Sequence, residues 1–383
     1  MKNLLLKNRL NLFFALFFIF VCGLSYFSWS KVESNPLFKS SSTTYSIAQA
    51  KNTGKVNRIE INNIINLSQE VNFQTLFEAP KLGKITQTDS EKNWEEKRIK
   101  NGDIFIVAKD KGQSDYRFIF SFRLLQILIL FLFFAGLVIW FTKTRGLKAI
   151  ASMLFSGLII IGIFVPLFFL GIDAIFLSLI CGIMIMVSSF YFAHGASLVI
   201  NVAFTSSVIT LFLSVLISVV SVQALRLTGS ASEDSNYLVS VIDGVDLKGL
   251  LYSSILISTV GVLDDITTAQ TKIIVELKKL KPEITFQQLV RISLSVGEEH
   301  VISLVNTLFM AYAGVALPTL ILFSVSKVGP WWVFLNSEVV AEEVVRTVCG
   351  SLALIIAVPI TCYLSAWIVT RKRNTQKFFQ VEL

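Results

Sequence analysis

Charge is what this sequence has least of. Asp, Glu, Lys and Arg make up only 16% of its 383 residues, where a soluble domain carries roughly a quarter. That shortage excludes an ordinary water-soluble fold. Histidine is scarcer still, with two in the chain, so no imidazole-built metal site and no cofactor is expected. The four cysteines, Cys22, Cys181, Cys349 and Cys362, form no CxxC pair, and each falls in or beside an apolar run. A disulfide framework and a zinc site both lack support. Small apolar packing residues are the reading that remains.

What the chain does have is apolar length. Hydrophobic residues reach 54%, with 32 Phe, and mean hydropathy is +0.68. Stretches of about 18 or more nearly uncharged residues read as membrane spans. The first is Leu10–Trp29, preceded by Lys2, Lys7 and Arg9. It reads as a signal peptide or an uncleaved anchor. The anchor is favoured, because no small-x-small site follows cleanly and the bulky Val21 before Cys22 makes a poor lipoprotein signal. Seven more spans have approximate cores at Leu124–Phe141, Ile150–Leu170, Ala174–Phe192, Ala196–Ser221, Leu250–Ile273, Val301–Phe323 and Cys349–Thr370. The fold class is therefore mainly α, a polytopic bundle of about eight spans. Pro166, Pro318 and Pro359 fall inside spans, which membrane helices tolerate.

Residues 31 to 122 differ in kind. They mix Lys, Glu, Asn, Ser and Thr, and Ile59 and Ile61, then Val71 and Phe73, alternate with polar neighbours. Ile104 to Ala108 follows the turn signal Asn101-Gly102-Asp103. Period-2 alternation bounded by turn residues predicts strands. This segment reads as a small extracytoplasmic β-rich domain, with 31 to 52 as a loose linker. The domain plan is thus an anchor (1–30), the β-rich domain (31–122), a seven-helix bundle (123–370) and a basic tail (371–383).

The net charge of +8 sits at the ends of apolar runs. It reads as topology signal and headgroup contact rather than as a nucleic-acid surface. With the N-terminus in the cytoplasm, Lys143, Arg145 and Lys148 fall inside. So do Lys278, Lys279, Lys281 and Arg291, and Arg371, Lys372, Arg373 and Lys377 in the tail. The outer turn near Gly171–Asp173 has no basic residue, and the one near Lys327 has one. Both termini are expected in the cytoplasm, with Trp331 and Trp332 in an outer interfacial belt. Thr285-x-x-Gln288 matches a capping box opening a helical segment along the inner interface. Ser337 to Thr347 reads as an outer extension of the eighth span.

The sixth span carries the chemistry. Asp264 lies 14 steps from Leu250, roughly 21 Å along a helix in a core of about 30 Å. Adjacent acids there are costly, and Asp264 and Asp265 point about 100° apart. Ser254, Ser258, Gly261, Asp265 and Thr268 recur on one helix face. That stripe reads either as small-residue helix packing or as a cavity with Asp265 as its ionisable group. Both readings stay open. The seventh span begins with Glu298, Glu299 and His300, where acids at a helix start would favour the macrodipole. Asn306 and Thr307 follow inside it. Asn306 needs a partner there, and an interhelical hydrogen bond would supply one.

At these residues the chain resembles the YibE/F-like family of bacterial membrane proteins. The matching residues are Gly261-Val262-Leu263-Asp264, Ser295-Val296-Gly297, Val305-Asn306-Thr307-Leu308 and Ala311-Tyr312-Ala313-Gly314. His194-Gly195, Val358-Pro359 and Gly102-Asp103 add to them, and the likeness runs from about residue 55 to 370. Two departures stand out. The family pattern has one acid where this chain has Asp264 and Asp265, and a basic residue before an acid where it has Glu298-Glu299. No salt bridge is therefore carried over. The resemblance implies a bacterial plasma-membrane protein and names no substrate.

Three functions compete. One is a permease for a small solute or ion, using Asp264, Asp265 and Asn306. Another is a non-transporting scaffold whose outer domain binds an envelope component or a protein partner, the chain alone or in a homo- or hetero-oligomer. An intramembrane enzyme is disfavoured, because an aspartyl protease needs acids from facing helices and this pair shares one helix. The chain is expected not to be an enzyme.

Overall fold

The computed structural model describes residues 2–33, 43–61, 64–76, 82–90, 98–110, 116–242, 244–326 and 329–371. Lys327, the tail from Lys372 onward and residues 34–42 of the expected linker lie outside the described residues, as do the side chains of Ile59 and Ile61. Ten helices and five strands are described. The helices are α1 (Lys2–Glu33), α2 (Leu124–Thr142), α3 (Thr144–Phe169), α4 (Ala174–Ala193), α5 (Leu198–Ala224), α6 (Glu233–Val241), α7 (Leu247–Leu280), α8 (Phe286–Ser326), α9 (Trp331–Leu335) and α10 (Glu338–Arg371). Eight of them, all but α6 and α9, are long and apolar enough to cross a membrane. The chain is a multi-pass membrane protein.

The chain divides into two compact units, residues 1–33 with 139–383 and residues 34–138. The smaller unit holds a five-stranded antiparallel sheet. Its strands are β1 (Thr43–Ile61), β2 (Ile64–Thr75), β3 (Leu82–Ser90), β4 (Ile104–Asp110) and β5 (Arg117–Ser121), in the order β3-β2-β1-β4-β5. The edge strands β3 and β5 approach each other, so the sheet curls. Val71 and Phe73 face its core, as their alternation predicts, while Glu70 and Asn72 are exposed. Gly102 turns the chain into β4 at φ 92°, a backbone region costly for any side-chain-bearing residue. Beside it Lys100 N–H donates to the Asp103 carboxylate at 2.7 Å.

Residues 43 to 52, expected as linker, form the first half of β1 instead. Their inward positions are Ala48 and Ala50, too small to show as hydrophobic alternation. The structure gives the reason for their size. Ala50 stands opposite Phe73 and Ala48 opposite Phe105, and the two rings meet edge-on at 5.8 Å. Large residues on both sides of those pairs would overfill the core.

In the larger unit α7 is the hub, packed on α4, α5 and α10. α1 lies against α3, with Val21 fully buried and Phe17 on Phe155 at 5.6 Å. α3 contains a π-helical turn at Ile160–Phe164. Such a turn frees carbonyls from the i→i−4 ladder. Here Ser28 Oγ donates to Gly162 O at 2.9 Å and Trp29 Nε1 to Ile161 O at 3.2 Å. Polar side chains of one apolar helix thus find partners on the next, as spans require.

The capping box forms as expected. Thr285 N–H donates to Gln288 Oε1 at 3.2 Å, and Gln288 N–H to Thr285 Oγ1 at 3.4 Å. What it caps differs. The helix it opens does not stop short of the seventh span but runs unbroken as α8 from Phe286 to Ser326. Glu298 and Glu299 therefore lie well inside a helix and not at its start, so the macrodipole does not account for them. No Gly or Pro breaks the sequence between Gln288 and Glu299 except Gly297, which is buried against a neighbour and not at a turn.

Candidate functional site

α4 and α7 run parallel in constant register. Ser178 Oγ donates to Ser253 Oγ at 2.6 Å near one end. Toward the other end, Ser189 Oγ donates to an Asp264 carboxylate oxygen. Thr268 Oγ1 lies 3.5 Å from the second oxygen, one turn further along α7. Asp264 is thus held by two hydroxyls on two helices, inside a spanning helix at the level of the last turn of α4.

Ser189 also opens a second π-helical turn, Ser189–Ala193, at the end of α4. π turns inside α-helices often mark functional positions. The turn delivers His194, and the chain then reverses at Gly195, φ 77°. Lys272 of α7 places its ammonium 3.5 Å from His194 Nδ1. Although His194 keeps an exposed edge, the protein packed round it pushes its pKa below the ordinary value. Lys272 and Arg145 lower it further, and Asp265 opposes them. Asp264, Asp265, His194 and Lys272 so form one electrostatic cluster at the end of the bundle where α4 stops.

Of the residues singled out in the sequence, Asp264 and Thr268 are brought together. Asp265 is on the exposed side of α7, beside His194. Gly261 is exposed too, and a Cβ built there would meet no atom within 4 Å, so it makes no close helix contact. Ser254 and Ser258 each donate to a carbonyl of their own helix at 2.8 Å. Asn306 and Thr307 sit on the exposed face of α8, with Thr307 Oγ1 donating to Ser303 O at 3.0 Å. The Asp264 carboxylate is turned toward α4. Gln270, the α7 residue that meets α8 through His300, is about 120° away round the helix. Glu298 and Glu299 are exposed as well.

A buried polar layer lies beyond Asp264. Ser207 Oγ and Thr267 Oγ1 pair at 2.8 Å, and Ser365 Oγ donates to Thr271 Oγ1 at 3.2 Å. Gln270 Nε2 meets His300 Nδ1 at 3.2 Å, and Cys362 Sγ donates to Gln270 Oε1 at 3.7 Å. This layer ties α7 to α5, α8 and α10. On α5 the buried Ser206, Thr210, Ser214 and Ser218 each return their hydroxyls to the carbonyl one turn back, at 2.8–3.0 Å. Their i, i+4 spacing is visible in the sequence and was the missed signal. Ser189 had none, since its role depends on the partner helix. Among the described residues, no group of three or more His, Cys, Asp or Glu is placed to hold a metal ion.

The family model described as YibE/F-like protein matches residues 130–371. That stretch takes in most of α2 and the rest of the bundle through α10. It leaves out α1 and the sheet, so Gly102-Asp103 lies outside it. No curated protein and no solved structure matches the chain.

Proposed function

The chain belongs to the YibE/F-like family, and from that premise we propose that it is a permease for a small solute or ion, working at the Asp264 cluster. The observation that carries the reading is the Asp264 carboxylate, inside a span and held by Ser189 across a helix contact. A carboxylate within a span is costly, on the order of 2.5–3.5 kcal/mol at the very centre even on gentle scales. A helix contact alone would be met by Asn or Ser at less cost. Beside it His194 and Lys272 supply a titratable group and a cation at the end of the bundle. A solute would enter there, exchange for solvent at His194, and meet Asp264 within the span.

We place the protein in the bacterial plasma membrane with both termini in the cytoplasm and the sheet outside. The support is the basic residues Lys143, Arg145, Lys148, Lys278 and Lys279, all at the end that this orientation puts inside. The reading includes no enzymatic step. Flux of monovalent and divalent ions and small solutes into proteoliposomes tests it, with wild type beside Asp264→Asn. Wild-type flux that the substitution abolishes is the expected result. Equal flux in both removes Asp264, and no flux in either removes the permease.

One observation favours the scaffold as a second reading. The sheet is a separate unit with a core of its own, and it exposes Tyr45 and Phe120. Deleting residues 34–121 would then abolish function while Asp264→Asn leaves it intact.

A further inference from the structure

α8 carries a polar stripe on a face that no described residue covers. Ser295, Glu299, Ser303 and Asn306 are all exposed, and at about 100° per residue they fall within roughly 80° of one another. The stripe is roughly 17 Å long, with Glu298 and Thr307 on its flanks, both exposed too. Among the described residues the Asn306 amide has no hydrogen-bond partner. The stripe is not at a helix end. A Cβ on Gly297 would meet Val358 and Gln270, and one on Gly350 would meet Leu308. Those contacts pack the opposite face of α8 on the Gly350–Val358 stretch of α10, in which Ser351 is the one polar residue, and so set the depth of the stripe. Lipid tails at that depth offer no hydrogen bond.

We propose that this face of α8 packs against α8 of a second copy of the chain. The argument is chemical complementarity. The other candidate partner within this chain is α2. Between Gln126 and Thr142 the only polar side-chain atom of α2 is the Trp140 indole N–H, which gives Asn306 and Ser303 one donor and no acceptor. A second α8 presents the same groups at the same depth. In a two-fold contact each residue meets itself or a near neighbour. An amide and a hydroxyl both donate and accept, so Asn306 and Ser303 are complementary to themselves. At one end Gly314 has no atom within 4 Å of its Cβ position, which lets two backbones approach. At the other end Glu298 and Glu299 would meet like charges. There the seam stays open to water, while it closes from Ser303 to Gly314. This surface is separate from the Asp264 cluster, and the proposal stands whether or not that cluster conducts.

The test is disulfide trapping in native membranes with full-length Ser303→Cys and Asn306→Cys. Leu216→Cys, on the outward face of α5 at 62% exposure, serves as the collision control, and wild type reports on the native cysteines. The expected result is an oxidation-dependent species of twice the chain mass from Ser303→Cys or Asn306→Cys, at least tenfold above both controls. No such species from either variant, or equal amounts from Leu216→Cys, overturns the proposal. Photobleaching of singly labelled wild-type chains in nanodiscs reads the same question without substitution. Two or more steps are expected, and single steps throughout overturn it.

Discussion

Ser189 donates its hydroxyl hydrogen to the carboxylate of Asp264, joining α4 to α7 where α4 leaves α-helical geometry. The pair separates packing from function. Removing the donor by Ser189→Ala should lower stability by about 1 kcal/mol, the usual size of an interhelical hydrogen bond in a membrane protein. Asp264→Asn keeps an acceptor for Ser189 and removes the charge. It should leave the thermal midpoint in detergent unchanged and abolish flux. A large fall in the midpoint for Asp264→Asn would make the acid structural.

Gly297 offers a packing prediction. A Cβ there collides with Val358 and lies 3.2 Å from Gln270 Nε2. Gly297→Ala gains up to about 1 kcal/mol of helix propensity and loses about 1–3 kcal/mol to overpacking. Net destabilisation is expected. Val358→Ala removes the colliding methyl, so the double variant should recover most of the loss. Thermal unfolding of the four proteins gives the coupling, and strict additivity would deny the contact.

Asp264 and Ser189 show how much of the site is legible in the sequence. Asp264 announces itself, because an acid in an apolar run has few innocent explanations. Its partner does not. Ser189 lies 75 positions away, in a helix whose π turn no periodicity reveals. Asp265 and Gly261 shared a stripe with Thr268, and that stripe has two sides. Thr268 is buried and Asp265 is exposed, because a helix face is wider than the groove it meets. The spans were legible from length alone. The first half of β1 was not, since alanines facing aromatic rings carry no alternation.

His194 makes a prediction about pH. Its folded pKa lies below the ordinary 6.5, through burial first and then Lys272. Above that pH it is neutral in both folded and unfolded chains and adds nothing. As pH falls through about 6.5, the unfolded chain takes up the proton first, so stability is lost until the folded pKa is passed. His194→Gln should flatten this part of the midpoint-against-pH curve between pH 7 and 5. Lys272→Met removes a cation that opposes protonation, so it should move the loss toward smaller size. A curve unaltered by either substitution would show that His194 does not feel this environment.

The core of the sheet can be broken without touching the bundle, which bears on whether the sheet takes part in the activity. Phe73 is fully buried, edge-on to Phe105 at 5.8 Å and to Tyr116 at 5.1 Å. Phe73→Ala should cost about 3–5 kcal/mol, most of what a domain of this size has to lose. The bundle has its own core, in which Leu256, Leu263 and Leu354 take no part in the sheet. Limited proteolysis of the full-length variant should therefore cut within residues 43–121 while the fragment from α3 onward stays intact. If flux survives in that variant, the sheet is an accessory to a permease. If flux is lost although the bundle resists protease, the sheet takes part in transport itself.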